Sequence, residues 1–391
     1  KTIGVTGTNG KSTTVSMLAA IVCAAEQPNA WLSTLGAYVN GREIRETDPS
    51  RRFLRMTEEA VASGVRTLAL EVTSKALKEG FAQRWPPSVA VFTNLSRDHL
   101  DLHENPEHYL ASKAQLFISL LPGGIAVLNA DDDNAALIAD VVPEGRSIQR
   151  YSAQGNAAQL SAERIEISLK GTRVVLSPSS LAEALGGELL LQVVGDVHAA
   201  NALAAAVSAA SVGYSANAIK QGLKDFRTLP GRFEIVAQTP LVVVDYAHTP
   251  DGLQGTLCSA RSLVGESGKL ICVFGCGGNR DRGKRPMMGA VADLHADHVI
   301  LTGDNPRYED LDEINGDVLA GANGAGAKWQ VEKDRGRAIA LALDVAGAQD
   351  IVIIAGKGHE QFQDVGGSVR PFSDTDVVRR YLVESRENLC S

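Results

Sequence analysis

The sequence predicts an α/β protein: a central domain on a mostly parallel sheet with a small antiparallel edge, then a Rossmann-like C-terminal α/β domain. Three observations predict it. Short apolar runs alternate with helical stretches along most of the chain, the pattern of a parallel sheet covered by helices. A glycine-rich turn separates the first apolar run from the first helical stretch. One breaker cluster, Leu229-Pro230-Gly231, interrupts the pattern, and the alternation then restarts.

In chain order, residues 2–6, 67–72, 89–93 and 125–129 read as buried strands, and 12–25, 106–120 and 133–141 as helices. The stretch 155–195 has shorter alternating runs at 165–169, 173–176 and 188–194, the antiparallel edge. Helices follow at 198–212 and 216–226. Beyond the breaker, strands are predicted at 241–245, 269–274, 298–301, 328–332 and 350–355. The domains are therefore expected at 1–228 and 229–391.

Composition narrows the class. The chain has 391 residues, 21% of them charged, 44% hydrophobic, and a net charge of −8 with no basic block. That argues against a nucleic-acid partner. No apolar run is long enough to span a bilayer and the chain opens on a strand-like segment, which gives the expectation of a cytoplasmic protein with no membrane partner. Of the five cysteines, Cys272 and Cys276 are close in sequence but lack two further ligands for zinc.

The first turn reads Gly4-Val-Thr-Gly7-Thr8-Asn9-Gly10-Lys11-Ser12-Thr13. Glycines let consecutive backbone N–H groups face phosphate oxygens, and the helix N-terminus adds a favourable partial charge. Lys11 can reach the terminal phosphates of ATP and the Ser12 hydroxyl can ligate Mg²⁺. Val5 stands where the usual P-loop spacing has its first glycine. At this point an ordinary P-loop ATPase or kinase remains open.

The string from Thr6 to Thr13 strongly resembles the ATP loop of the Mur ligase family, which adds amino acids to the peptidoglycan precursor. Further motifs follow in the same order: Thr93-Asn-Leu-Ser-Arg-Asp-His99-Leu-Asp, Ala111-Ser-Lys113-Ala, Asp245-Tyr246-Ala-His248-Thr-Pro, Gly275-Cys-Gly-Gly-Asn-Arg-Asp-Arg-Gly-Lys-Arg285-Pro, Asp304-Asn305-Pro-Arg307 and Gly356-Lys-Gly-His-Glu360. The last two resemble the MurE branch, which adds the third residue of the stem peptide. The resemblance implies an ATP-dependent carboxylate–amine ligase working through an acyl phosphate, with small-molecule substrates and a monomeric chain. It implies Lys11, Glu71, His99 and Lys113 as catalytic residues, with Ser12, Glu71, His99 and a carbamylated Lys113 as metal ligands. Gly7, Thr8, Asn9, Gly10, Lys11, Ser12, Thr13, Asn201, Arg232, Asp245, Tyr246 and His248 are implied as nucleotide contacts. His198 departs from the pattern, where an Asn is usual. Arg285, Asp304, Asn305, Arg307, Gly356 and Glu360 match the amino-acid pocket. Arg307 suits the distal carboxylate of meso-diaminopimelate and Glu360 its distal ammonium.

The acceptor side departs from the family. The domain that binds the UDP sugar is expected ahead of the loop, and this sequence starts at the loop. Lys75 stands for the usual histidine, Glu79 for a glutamine and Phe81 for an arginine; Thr47-Asp48-Pro49, then Arg51 and Arg52, replace a Thr-Thr-Pro stretch. Thr47, Asp48, Arg51, Arg52, Thr73, Ser74 and Lys75 are the candidate acceptor contacts. The expectation is an altered, UDP-free acceptor. The alternative is an ordinary MurE-type precursor ligase with its first domain missing. A catalytically silent ATP-binding regulator is the rival of another class, disfavoured by the joint presence of Lys11, Glu71, His99 and Lys113.

Overall fold

The computed structural model describes residues 1–98, 100–265, 267–324 and 326–390. The chain divides into two compact units, Lys1–Ser96 with Leu102–Arg227, and Arg97–Asp101 with Thr228–Ser391.

The first unit is built on an eleven-stranded sheet. Its middle is parallel, in the order Ser147–Ser152, Ile125–Asn129, Val89–Phe92, Thr2–Thr6, Thr67–Glu71, Asn29–Ser33. These central strands are apolar and buried on both faces, as a helix-covered parallel sheet demands. Two antiparallel extensions flank it. One is Leu160–Ser168, Gly171–Leu176 and Glu188–Leu191, the edge expected from the sequence. The other, Gly36–Val39 and Arg42–Glu43, continues from Asn29–Ser33 and was not expected. Its strands are only four and two residues long, so they carry little alternation.

Helix Lys11–Ala24 is buried nearly all round because Asp196–Ser211 and Ala216–Asp225 cover it. Close approach is allowed by small residues. A Cβ on Gly222 would lie 2.4 Å from Ile21 Cα, and Asp196–Ser211 is mostly alanine.

The second unit has a six-stranded sheet ordered Glu234–Gln238, Leu241–Asp245, Ile351–Ala355, Leu270–Phe274, His298–Leu301, Lys328–Val331. Only Glu234–Gln238 is antiparallel. A hairpin, Phe362–Val365 with Ser368–Pro371, follows the strand Ile351–Ala355. Among the described residues no helix is long and apolar enough to cross a membrane.

Candidate active site

Ligands of open α/β sheets bind beyond the carboxyl ends of the strands, and in both units several of the expected site residues stand there. In the first unit Val5 pairs in register with Glu71, so the phosphate loop opens level with the end of the neighbouring strand. The loop is anchored on its other side by the residues after Val89–Phe92: the Thr8 amide donates to Asn94 O at 2.9 Å, the Asn9 amide to Asn94 Oδ1 at 2.8 Å, and Thr93 Oγ1 to Asn9 O at 2.6 Å. Gly10 has φ +82°, and a Cβ there would lie 2.2 Å from Asn201 Oδ1, so the loop turns tightly against Asn201. Thr13, the third residue of the helix that follows, is buried.

Ser12 and Glu71, 59 residues apart, meet directly: Ser12 Oγ donates to Glu71 Oε2 at 2.7 Å. Thr34, which sequence reasoning missed, joins them. Its amide donates to the same oxygen at 3.0 Å, and its hydroxyl lies 3.3 Å from Ser12 Oγ. No local motif marks Thr34; the register of Asn29–Ser33 beside Thr67–Glu71 brings it in. Two hydroxyls and a carboxylate are hard oxygen donors, the set that suits Mg²⁺. Lys11 Nζ donates to Thr8 O at 2.7 Å and stands 4.0 Å from Glu71 Oε1.

Lys113 is almost fully buried; its amine donates to Gly7 O at 2.8 Å and lies 4.0 Å over the Tyr109 ring. As an ammonium it would repel a cation, so only a carbamate at this position fits the expected metal role. His99 lies outside the described residues. Among the described residues no group of three or more His, Cys, Asp or Glu side chains is placed to hold a metal ion.

The acceptor candidates behave more locally. Asp48 Oδ1 accepts from the Arg51 amide at 2.8 Å and Thr73 Oγ1 from the Ala76 amide at 3.3 Å, so both act as helix N-caps. Thr47, Arg51 and Lys75 are exposed, while Arg52 Nε donates to Glu46 O at 2.7 Å. Ser74 is buried, with its hydroxyl 2.9 Å from His103 Nε2.

In the second unit Asp245 pairs with Ala355, which places Asp245 beside Gly356. The Asp245 carboxylate accepts the amides of Phe233 at 2.6 Å and Ala247 at 2.9 Å, and the Thr256 hydroxyl at 2.9 Å. It therefore organises its own loop. The Arg232 guanidinium lies 4.4 Å over the Tyr246 ring, and the His248 ring lies 4.5 Å from it, centroid to centroid. Burial, helped by the nearby Glu360 charge, pushes the Tyr246 phenol up to about 12.

The amino-acid candidates converge at the ends of Ile351–Ala355 and His298–Leu301. Asn305 Nδ2 donates to Glu360 Oε2 at 2.9 Å. Arg307, at φ +52°, points its guanidinium to Gly278 O at 2.7 Å and Asn305 O at 3.4 Å. A Cβ on Gly356, at φ +111°, would lie 2.9 Å from Asp304 Oδ2. Lys357, unremarked in the sequence, is central to this group. Arg285 is set differently: its buried guanidinium is held by Asp317 at 2.9 Å and Glu309 at 3.0 Å. Although burial opposes it, the Asn279 amide and Arg285 hold the Glu309 carboxyl below the usual range. Arg285 thus acts here as a clamp within the fold, because two acids that the sequence does not announce face it.

The family model for the Mur ligase middle domain matches residues 5–209, and that for the Mur ligase, glutamate ligase domain, matches 231–358. The UDP-N-acetylmuramoyl-L-alanyl-D-glutamate--2,6-diaminopimelate ligase of Thermosynechococcus vestitus (strain NIES-2133 / IAM M-273 / BP-1) is 41% identical over 392 residues, 98% of this chain and 76% of the relative. That of Parasynechococcus marenigrum (strain WH8102) is 39% identical, covering 97% and 77%. A solved structure of a ligase with the same name is 34% identical and superposes with a TM-score of 0.66 over 99% of this chain and 79% of that one. Mycobacterium tuberculosis folylpolyglutamate synthase, solved with ADP and AMPPCP, shares the fold at 20% identity and a TM-score of 0.69, covering 91% and 88%. The chain belongs to the Mur ligase family of ATP-dependent, amide-forming ligases.

Proposed function

We propose that this ligase joins 2,6-diaminopimelate to a carboxylate of UDP-N-acetylmuramoyl-L-alanyl-D-glutamate. The observation that carries the reading is the convergence of Asn305, Arg307, Gly356 and Glu360 at one sheet end, a cation and an anion for the two distal groups of a diamino acid. Relatives named for these two substrates align over nearly the whole chain, which supports it. They give no support to the altered, UDP-free acceptor expected from the sequence. The substituted positions have local explanations instead. Phe81 packs edge-on against Phe53 at 5.3 Å, and Lys75 and Glu79 face solvent.

The reaction has two steps. An acceptor carboxylate oxygen takes the γ-phosphoryl group of ATP, giving an acyl phosphate and ADP. The substrate amine then attacks the acyl carbon, phosphate departs, and the amine gives up a proton. The barrier is the approach of anions, so positioning and charge neutralisation carry most of the catalysis. The backbone N–H groups of Gly7–Ser12 and the Lys11 ammonium are placed to hold the phosphates. Ser12, Thr34 and Glu71 would hold Mg²⁺, which neutralises phosphate charge when bound. Asn201, against Gly10, borders the nucleotide.

Arg307→Ala tests the amino-acid side. Losing a charged hydrogen bond to the distal carboxylate should raise the KM for diaminopimelate roughly 10- to 100-fold. The KM for ATP should stay unchanged in a phosphate-release assay. An unchanged diaminopimelate KM would remove Arg307 from the pocket.

A further inference from the structure

Lys357 sits inside the amino-acid cluster, yet its side chain is 0% exposed. Its ammonium donates to Glu360 Oε2 at 2.8 Å and to Asn305 Oδ1 at 3.2 Å. Asn305 Nδ2 closes the ring by donating to the same Glu360 oxygen at 2.9 Å, and Asn305 Oδ1 also takes the Asp364 amide at 2.9 Å. Both donors fall on Oε2, and Glu360 Oε1 takes no part in the ring. Glu360 keeps 21% of its side chain exposed, so this residue, not Lys357, meets a ligand.

The backbone is shaped to bury this lysine. Gly356 and Gly358, on either side of it, have φ of +111° and +51°, a path that side chains resist. A Cβ on Gly358 would also come within 2.7 Å of Gly231 O and of Tyr246 Cβ. A buried ammonium loses its hydration and persists only where paired groups replace water. Two loops meet that demand: the one after Ile351–Ala355 gives the Glu360 carboxylate, and the one after His298–Leu301 gives the Asn305 amide oxygen.

We infer that Lys357 is a positioning residue for substrate choice. By holding Glu360 through Oε2 and locking Asn305 beside it, Lys357 fixes Glu360 so that Oε1 alone faces the distal ammonium of the incoming diamino acid. The inference rests on the reading that Glu360 receives that ammonium. Lys357 touches no substrate. Its removal therefore acts on one substrate group and leaves ATP handling alone.

The test uses the full chain with ATP, Mg²⁺ and the UDP acceptor, and follows phosphate release with 2,6-diaminopimelate or with 2-aminopimelate. The second keeps the distal carboxylate and lacks the distal amine. The unsubstituted enzyme should favour diaminopimelate by about 10-fold or more in kcat/KM. Lys357→Met should cut that ratio to about 3 or less, through the KM for diaminopimelate, with the KM for ATP unchanged. Equal losses with both amino acids, or a matching change in the KM for ATP, would overturn the inference. So would an enzyme that uses both amino acids equally before any substitution. If Lys357→Met does not fold, Glu360→Gln and the pair Lys357→Met/Glu360→Gln replace it, since the pair leaves no unpaired buried charge. Glu360→Gln should show the low ratio and the double variant the same ratio; a further fall in the double variant would contradict the assignment. No turnover of either amino acid by the unsubstituted enzyme would instead defeat the diaminopimelate reading, and the role of Lys357 with it.

Discussion

The Glu71 carboxylate takes both the Ser12 hydroxyl and the Thr34 amide on one oxygen. Its place at the end of a buried strand, beside a phosphate loop, was legible because strand ends and loops follow from local patterns. Its partners were not. Thr34 reaches it through the register of a third strand, and Lys357 reaches Glu360 and Asn305 through a turn between two left-handed glycines. Arg285 shows the converse, since an arginine matching a pocket position is held by Glu309 and Asp317. Which acids face a basic side chain is a property of packing. Glu71→Gln should lower turnover about 100-fold or more, because a neutral amide neither balances nor ligates a cation as a carboxylate does. Steady-state phosphate release measures this, and full activity would remove Glu71 from the site. Lys113→Ala should lose turnover and retain nucleotide affinity, checked by calorimetric titration of ADP. Loss of the bond to Gly7 O should also cost stability of about 1–3 kcal/mol.

The helix Lys11–Ala24 carries the loop, and its seating depends on the elements that cover it. The central strands and this helix were legible because apolar runs and a glycine turn are contiguous in sequence. The edge Gly36–Val39 and Arg42–Glu43 was not, because strands of four and two residues are too short to show a periodic signal. Gly222→Ala tests the seating from a distance. Its methyl group would meet the backbone of Ile21, which cannot yield as a side chain can. Overpacking of this kind costs about 1–3 kcal/mol, and a chain segment of this size should lose several degrees in Tm. Calorimetric melting checks it. An unchanged Tm would show that the two helices are not in contact at Gly222.

At the scale of the whole molecule, the second unit keeps proton-releasing groups in its interior. Burial pushes the Cys272 and Cys276 thiols up to about 12, as it does the Tyr246 phenol. Ordinary thiols release their protons near pH 8.5 and phenols near 10, so the unfolded chain ionises first. Stability from these groups is therefore whole below about pH 8.5 and is lost as pH rises toward 12. Chemical denaturation at pH 7, 9 and 10.5 should show the decline. At pH 8, iodoacetamide should label the exposed Cys23 and leave Cys272 and Cys276 unmodified until unfolding, as read by peptide mass spectrometry. The most direct measurement of what this ligase joins is of the product itself. The chain is incubated with ATP, Mg²⁺, 2,6-diaminopimelate and UDP-N-acetylmuramoyl-L-alanyl-D-glutamate, and the mixture is weighed by mass spectrometry. The expected product is heavier than the acceptor by one diaminopimelate minus water and forms one for one with phosphate. Phosphate release with other carboxylates, and no such product with this acceptor, would contradict the proposed function.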